Sequence, residues 1–83
     1  MNPMVQTVEP LPNHLLRLSF DNGEVRVFDL KPYLDKGVFR ALQDEALFGR
    51  AQVVAGAVEW PGEIDLSNDT LFLRSHVLSA EAA

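Results

Sequence analysis

The stretch Leu15-Leu16-Arg17-Leu18-Ser19-Phe20-Asp21-Asn22-Gly23-Glu24-Val25-Arg26-Val27-Phe28-Asp29 sets two alternating segments on either side of an Asn-Gly pair. Asn-Gly supplies the two positive-φ positions of a type I′ turn, whose twist matches that of flanking antiparallel strands, so the stretch predicts a β-hairpin. With Asn22 and Gly23 as a two-residue loop, Phe20 faces Val25, Leu18 faces Val27 and Leu16 faces Asp29. Five of those six residues are apolar. The other side carries Leu15, Arg17, Ser19, Glu24, Arg26 and Phe28, a mixed set suited to water or to a partner. A one-residue slip would mix the two sets, and the pattern therefore supports this register.

Upstream, Val5 to Val8 reads as a first strand closed by Pro10-Leu11-Pro12-Asn13, where two prolines and an asparagine end the ladder. Downstream, Lys31-Pro32-Tyr33-Leu34-Asp35-Lys36 suits a helical turn with proline at its first position, and Gly37 lets the chain change direction. Val38, Phe39 and Leu42 share one face of a short helix, and Asp44 caps a further turn through Phe48 and Gly49. Ala51 to Trp60 forms a second hairpin around Ala55-Gly56, in which Val53 pairs with Val58 and Ala51 with Trp60. Pro61-Gly62 breaks that strand, Ile64-Asp65-Leu66 is extended, and Ser67 N-caps a last helix running to about Val77 with Leu71, Phe72 and Ser75 inward. The expected fold class is α+β: a small antiparallel sheet of hairpins in the order β-β-β-α-β-β-α, with short helices packed on one face.

Eighty-three residues with 47% hydrophobic content suit one domain with one core, ordered over about 4–77 and frayed over 79–83. The absence of cysteine excludes disulfides and thiolate metal sites and points to a reducing, cytoplasmic location. Seven Lys and Arg stand against twelve Asp and Glu, and the cations are scattered singly, which disfavours direct binding of nucleic acid. No long apolar run or basic leader suggests a membrane span or a secretory signal.

No residue set announces chemistry. Asp29, Asp65 and Asp69 could be imagined as a carboxylate cluster, but Asp65 and Asp69 flank the Ser67 cap and Asp29 ends a strand, so structural roles are expected for all three. His14 and His76 belong to no ligand motif and read as surface histidines. The single glycines mark turns, and no phosphate-binding loop is present. No catalytic residue, metal ligand or cofactor is expected. Asn22, Gly23, Trp60, Asp65 and Ser67 read as structural, Trp60 being placed in the core by its neighbours Val53 and Val58. Leu15, Phe28 and Leu30, on the face left outside the main cluster, are the candidate interface.

The order Leu18-Ser19-Phe20-Asp21-Asn22-Gly23, Phe28-Asp29, Phe39-Arg40-Ala41-Leu42-Gln43-Asp44, Phe48 and Trp60-Pro61-Gly62-Glu63-Ile64-Asp65-Leu66-Ser67-Asn68-Asp69-Thr70-Leu71 resembles the bacterial domain of unknown function 2442. The resemblance spans roughly positions 5 to 75 and is most specific from Trp60-Pro61 to Asp65-Leu66. It implies an α+β domain without an assigned activity or catalytic residue. Some members of that family carry an added helix-turn-helix module, which this chain is expected to end before, and others look like half of a paired, toxin–antitoxin-like or regulatory two-gene unit. Two functions are therefore expected to compete: a non-enzymatic protein-interaction domain, binding a protein partner or a second copy of itself, and a small-ligand or enzyme module in which Asp29, Asp65 and Trp60 line one pocket.

Overall fold

A computed structural model describes residues 1–78. The expected frayed tail, 79–83, lies outside the described residues. The fold is α+β, with seven strands in two antiparallel sheets among the described residues. The first sheet has the order β1-β2-β3-β7, from Val5–Leu11, Leu15–Phe20, Val25–Asp29 and His76–Val77. The second has the order β4-β5-β6, from Gln52–Val54, Ala57–Trp60 and Ile64–Leu66. Short 3₁₀ turns at Lys31–Tyr33 and Gly37–Gln43 and a four-residue helix α1, Glu45–Phe48, cross from one sheet to the other. Helix α2, Asn68–Leu73, leads back to β7.

The first hairpin forms, but its register is one residue away from that expected. Leu16 pairs with Phe28, Arg17 with Val27 and Leu18 with Arg26. The loop has three residues, not two. Phe20 accepts the Gly23 N–H at 3.0 Å and donates to the Glu24 carbonyl at 2.9 Å, while Gly23 alone takes a positive φ, of 90°. Asn22 contributes through its side chain, accepting the Glu24 N–H at 3.0 Å and donating to the Glu24 carboxylate at 2.9 Å. This arrangement turns the chain at lower demand on Asn22 than a two-residue loop, which would place it in the left-handed region.

Slipping one residue exchanges the faces of β3. Phe28 and Leu30 are completely buried beside Leu16, Leu18 and Phe20, whereas Val25, Val27 and Asp29 lie on the outer face, half-buried. Asp29 therefore faces Leu15, not Leu16. Strand β1 also runs further than expected, through Pro10 to Leu11. A proline is tolerated there because β1 is an edge strand, where an amide donor on the free side has no ladder partner. A bulge between Val5 and Thr7 changes the alternation, so that Val5 and Val8 both serve the core while Thr7, Glu9 and Leu11 align with the outer residues of β2.

The second hairpin has the expected register, Val53 opposite Val58, around Ala55 and Gly56 with φ of 51° and 81°. Both sheets contribute to one core. Val58, Trp60, Ile64 and Leu66 join the buried residues of the first sheet, with Leu42, Phe48 and Leu71 between them. Val38, expected inward with Phe39 and Leu42, is 58% exposed, because the turn is 3₁₀ and its side chains do not follow the α-helical stripe. Helix α2 ends at Leu73, not near Val77, and His76–Val77 instead adds an edge strand to β3.

Candidate functional site

Two open clefts and the outer face of the first sheet are candidate recognition features among the described residues. The first cleft, about 220 Å³, lies beside the turn joining β1 to β2 and is lined by Pro10, Leu11, Pro12, Asn13, His14, Glu45, Phe48 and Gly49. The turn is strained: Asn13 and His14 both occupy the left-handed region, with φ of 67° and 58°. Such backbone persists where surrounding bonds over-determine it. Here the Leu30 N–H donates to the His14 carbonyl at 3.0 Å, the Lys31 ammonium donates to the Asn13 carbonyl at 2.9 Å, and the His14 ring bonds the Leu42 carbonyl through Nε2 at 2.7 Å. A carbonyl only accepts, so Nε2 carries the proton.

His14 is thus half-buried and structural, where a surface histidine was expected. Its ring centroid lies 4.8 Å from that of Phe48. Phe48 stacks on Trp60 and accepts the indole N–H at 2.9 Å through its carbonyl. Asp44 starts the helix that presents Phe48, its carboxylate accepting the Ala46 N–H at 3.0 Å, and leaves Glu45 exposed in the first turn.

The second cleft, about 250 Å³, is lined by Glu59, Glu63, Ile64 and Asp65. Glu59 and Asp65 are direct cross-strand partners, an unfavourable juxtaposition of like charges. No group of three or more His, Asp or Glu residues with metal-holding geometry occurs among the described residues. The third feature is the outer face of the first sheet, where Leu11, Leu15, Val25 and Val27 are all half-buried beside Glu9, Arg17 and Asp29.

Of the residues expected at an interface, Leu15 is on this outer face, while Phe28 and Leu30 are fully buried through the register shift. Asp29, Asp65 and Trp60 do not converge: neither cleft is lined by Asp29 or Trp60. Asp29 accepts the Lys31 N–H at 2.9 Å and pairs with its ammonium at 3.1 Å. Partial desolvation raises the Asp29 pKa, but the bonds and charge of Lys31, aided by the charge of His76, outweigh it and hold the carboxyl below its ordinary value. Trp60 is buried, and Asn22 and Gly23 form the turn described above. Ser67 caps α2 by accepting the Thr70 N–H at 3.2 Å, while Asp65, two residues earlier on β6, takes no part in the cap.

Sequence reasoning missed Arg26. Its guanidinium, on the core side of β3, pairs with Glu24 at 2.9 Å and donates to the carbonyls of Phe72 and Ser75, both at 3.2 Å. An arginine within an apolar alternation was the available signal, but the expected register placed it on the outer face.

These features define a small α+β domain whose side-chain polar groups are largely spent on turns, caps and inter-element ties. The family model described as protein of unknown function (DUF2442) matches residues 5–76, and the chain belongs to that family. Searches of the curated proteins and of the solved structures find no match. No helix among the described residues is long and apolar enough to cross a membrane.

Proposed function

We propose that this chain is a non-enzymatic protein-interaction domain that docks a protein partner on the outer face of its four-stranded sheet. The supporting observation is the set of half-buried apolar residues Leu11, Leu15, Val25 and Val27, drawn from three adjacent strands around Arg17 on the face turned away from the core. Arg17, exposed between its cross-strand partners Glu9 and Val27, stands at the centre of this set, where arginine is a favoured interface residue, and Glu9 and Asp29 lie on the flanking strands. The acidic balance of −5 favours a protein over nucleic acid as the partner, and the absence of cysteine suits the cytoplasm. The partner is the second member of a two-protein unit of the kind the family resemblance implies, or a second copy of this chain.

Native co-purification with mass spectrometry, paired with light scattering, tests this reading. A partner, or a dimer, should be retained by the native chain and by a Gln52→Glu control, and lost from Val27→Glu with its fold intact. A strict monomer that retains nothing, or a Val27→Glu variant that binds as before, would count decisively against it.

A further inference from the structure

We infer that the cleft beside the β1–β2 turn receives one long cationic side chain, arginine or lysine, from the partner protein, an inference that rests on the interaction reading above. At about 220 Å³ the cleft is smaller than the roughly 300–1,000 Å³ of pockets that enclose drug-sized ligands or cofactors, and suits a single side chain. Its walls are in two parts. Pro10, Leu11 and Pro12 offer an apolar surface to an alkyl stem over the buried Phe48 ring, and Asn13, His14 and Glu45 stand at the polar end.

That polar end favours a donor. The Nε2–H of His14 is committed to the Leu42 carbonyl and is not offered to an incoming group. The Glu45 carboxylate is exposed and forms no ion pair among the described residues. No Lys or Arg lines the cleft; Lys31, which donates to the Asn13 carbonyl, also pairs with Asp29 at 3.1 Å, and Arg50 follows the lining residue Gly49 in the chain. The cleft is also continuous with the proposed docking face, because Leu11 belongs to both. A partner lying over the sheet could therefore place a side chain into it without a second point of approach. The second cleft lacks this construction: three of its four residues are carboxylates, with no apolar wall for a stem except Ile64, which is itself buried.

The test is an amide-resolved NMR titration of the full chain with N-acetyl-arginine methylamide and N-acetyl-lysine methylamide, using N-acetyl-norleucine methylamide as the uncharged control. Saturable shifts are expected at Asn13, His14, Glu45 and Gly49 with the cationic probes only. Glu45→Gln should weaken them about five- to tenfold, the loss of one charge-assisted hydrogen bond. Equal shifts with norleucine, shifts that favour Glu59, Glu63 and Asp65, or unchanged binding by Glu45→Gln would overturn the inference. Partner capture separates the two readings. Probe binding lost with capture retained condemns the cleft alone, whereas capture insensitive to Val27→Glu condemns the docking face.

Discussion

The guanidinium carbon of Arg26 lies 4.0 Å from the centroid of the Phe72 ring, and its Nη1 donates to the Phe72 carbonyl at 3.2 Å. One residue of β3 thus holds both the side chain and the main chain of α2, and a further bond to the Ser75 carbonyl fixes the exit of that helix toward β7. Only 14% of the Arg26 side chain is exposed. Arginine suits this position because its planar fork bonds several acceptors while its face lies against an aromatic ring.

Replacing Arg26 with alanine should destabilise the fold by about 2–3 kcal/mol, combining lost charge-assisted bonds with the contact to Phe72. Glu24→Gln should cost under about 1 kcal/mol, because Glu24 is the more exposed partner and water replaces much of the pair. Urea titrations read both values, provided that the m-value is unchanged. Equal effects would mean that the ion pair, and not the grip on α2, is what Arg26 supplies.

Trp60 is the only tryptophan and is 3% exposed, so it reports on the centre of the molecule. Its N–H donates to the Phe48 carbonyl, which also accepts the Ala51 N–H at 3.3 Å, so Trp60→Phe should cost about 2–3 kcal/mol from the volume lost in the core together with one hydrogen bond, with no acceptor left unpartnered. Because the same Phe48 ring packs on His14, chemical shifts of the His14 ring should move in this variant. The native emission should be blue-shifted and should move to the red on unfolding. An emission already typical of solvated indole in the native state would contradict the described core.

Asp29 gives a pH signature. Its carboxyl titrates below the ordinary aspartate value when folded, so it contributes stability that is present above about pH 4 and is lost as pH falls through the lower folded pKa. The stability difference between the native chain and Asp29→Asn should therefore be seen at neutral pH and vanish in acid. It should stay below about 1 kcal/mol, because 42% of the side chain is exposed and solvent screens the pair with Lys31. A difference that grew in acid would reverse the assignment.

These contacts also explain what could be read from the amino-acid order. Hairpins were legible wherever a turn residue sat between short apolar alternations, and Ser67 and Asp44 announced their helices by local cap chemistry. The register of the first hairpin was not, because Asn22-Gly23 fits both a two-residue loop and a three-residue loop in which only Gly23 takes a positive φ. The choice is made by distant demands, the burial of Phe28 and Leu30 and the placement of Arg26 against α2. Strand β7 was invisible for the same reason: two residues carry no periodicity, and they are held by pairing with Arg26 and Val27 and by the Leu78 N–H on the Val25 carbonyl. The role of His14 depends on Leu42, 28 residues away. The proposed docking face was displaced with the register, since its apolar members from this part of the chain are Val25 and Val27 in place of Phe28 and Leu30.

The second turn offers a stabilising substitution. Ala55 occupies the left-handed region with φ of 51°, where a Cβ meets the following carbonyl, and it precedes Gly56 at φ of 81°. Asparagine tolerates that region and is favoured at the first central position of a type I′ turn. Ala55→Asn should therefore raise stability by up to about 1 kcal/mol. Gly56→Ala should do the opposite, and by more than Gly23→Ala, although the two positions have similar φ values. An added Cβ at Gly23 meets nothing within 4 Å, whereas at Gly56 it would stand 2.5 Å from Met4 Sδ and 2.9 Å from Met4 Cβ. The Gly23 variant isolates backbone strain, about 1 kcal/mol, while the Gly56 variant adds displacement of Met4 and strains the adjoining bond from the Val5 N–H to the Gly56 carbonyl. Thermal unfolding of the three variants side by side should rank Ala55→Asn above the native chain, then Gly23→Ala, then Gly56→Ala. An inverted order of the two alanine variants would show that Met4 does not pack against this turn.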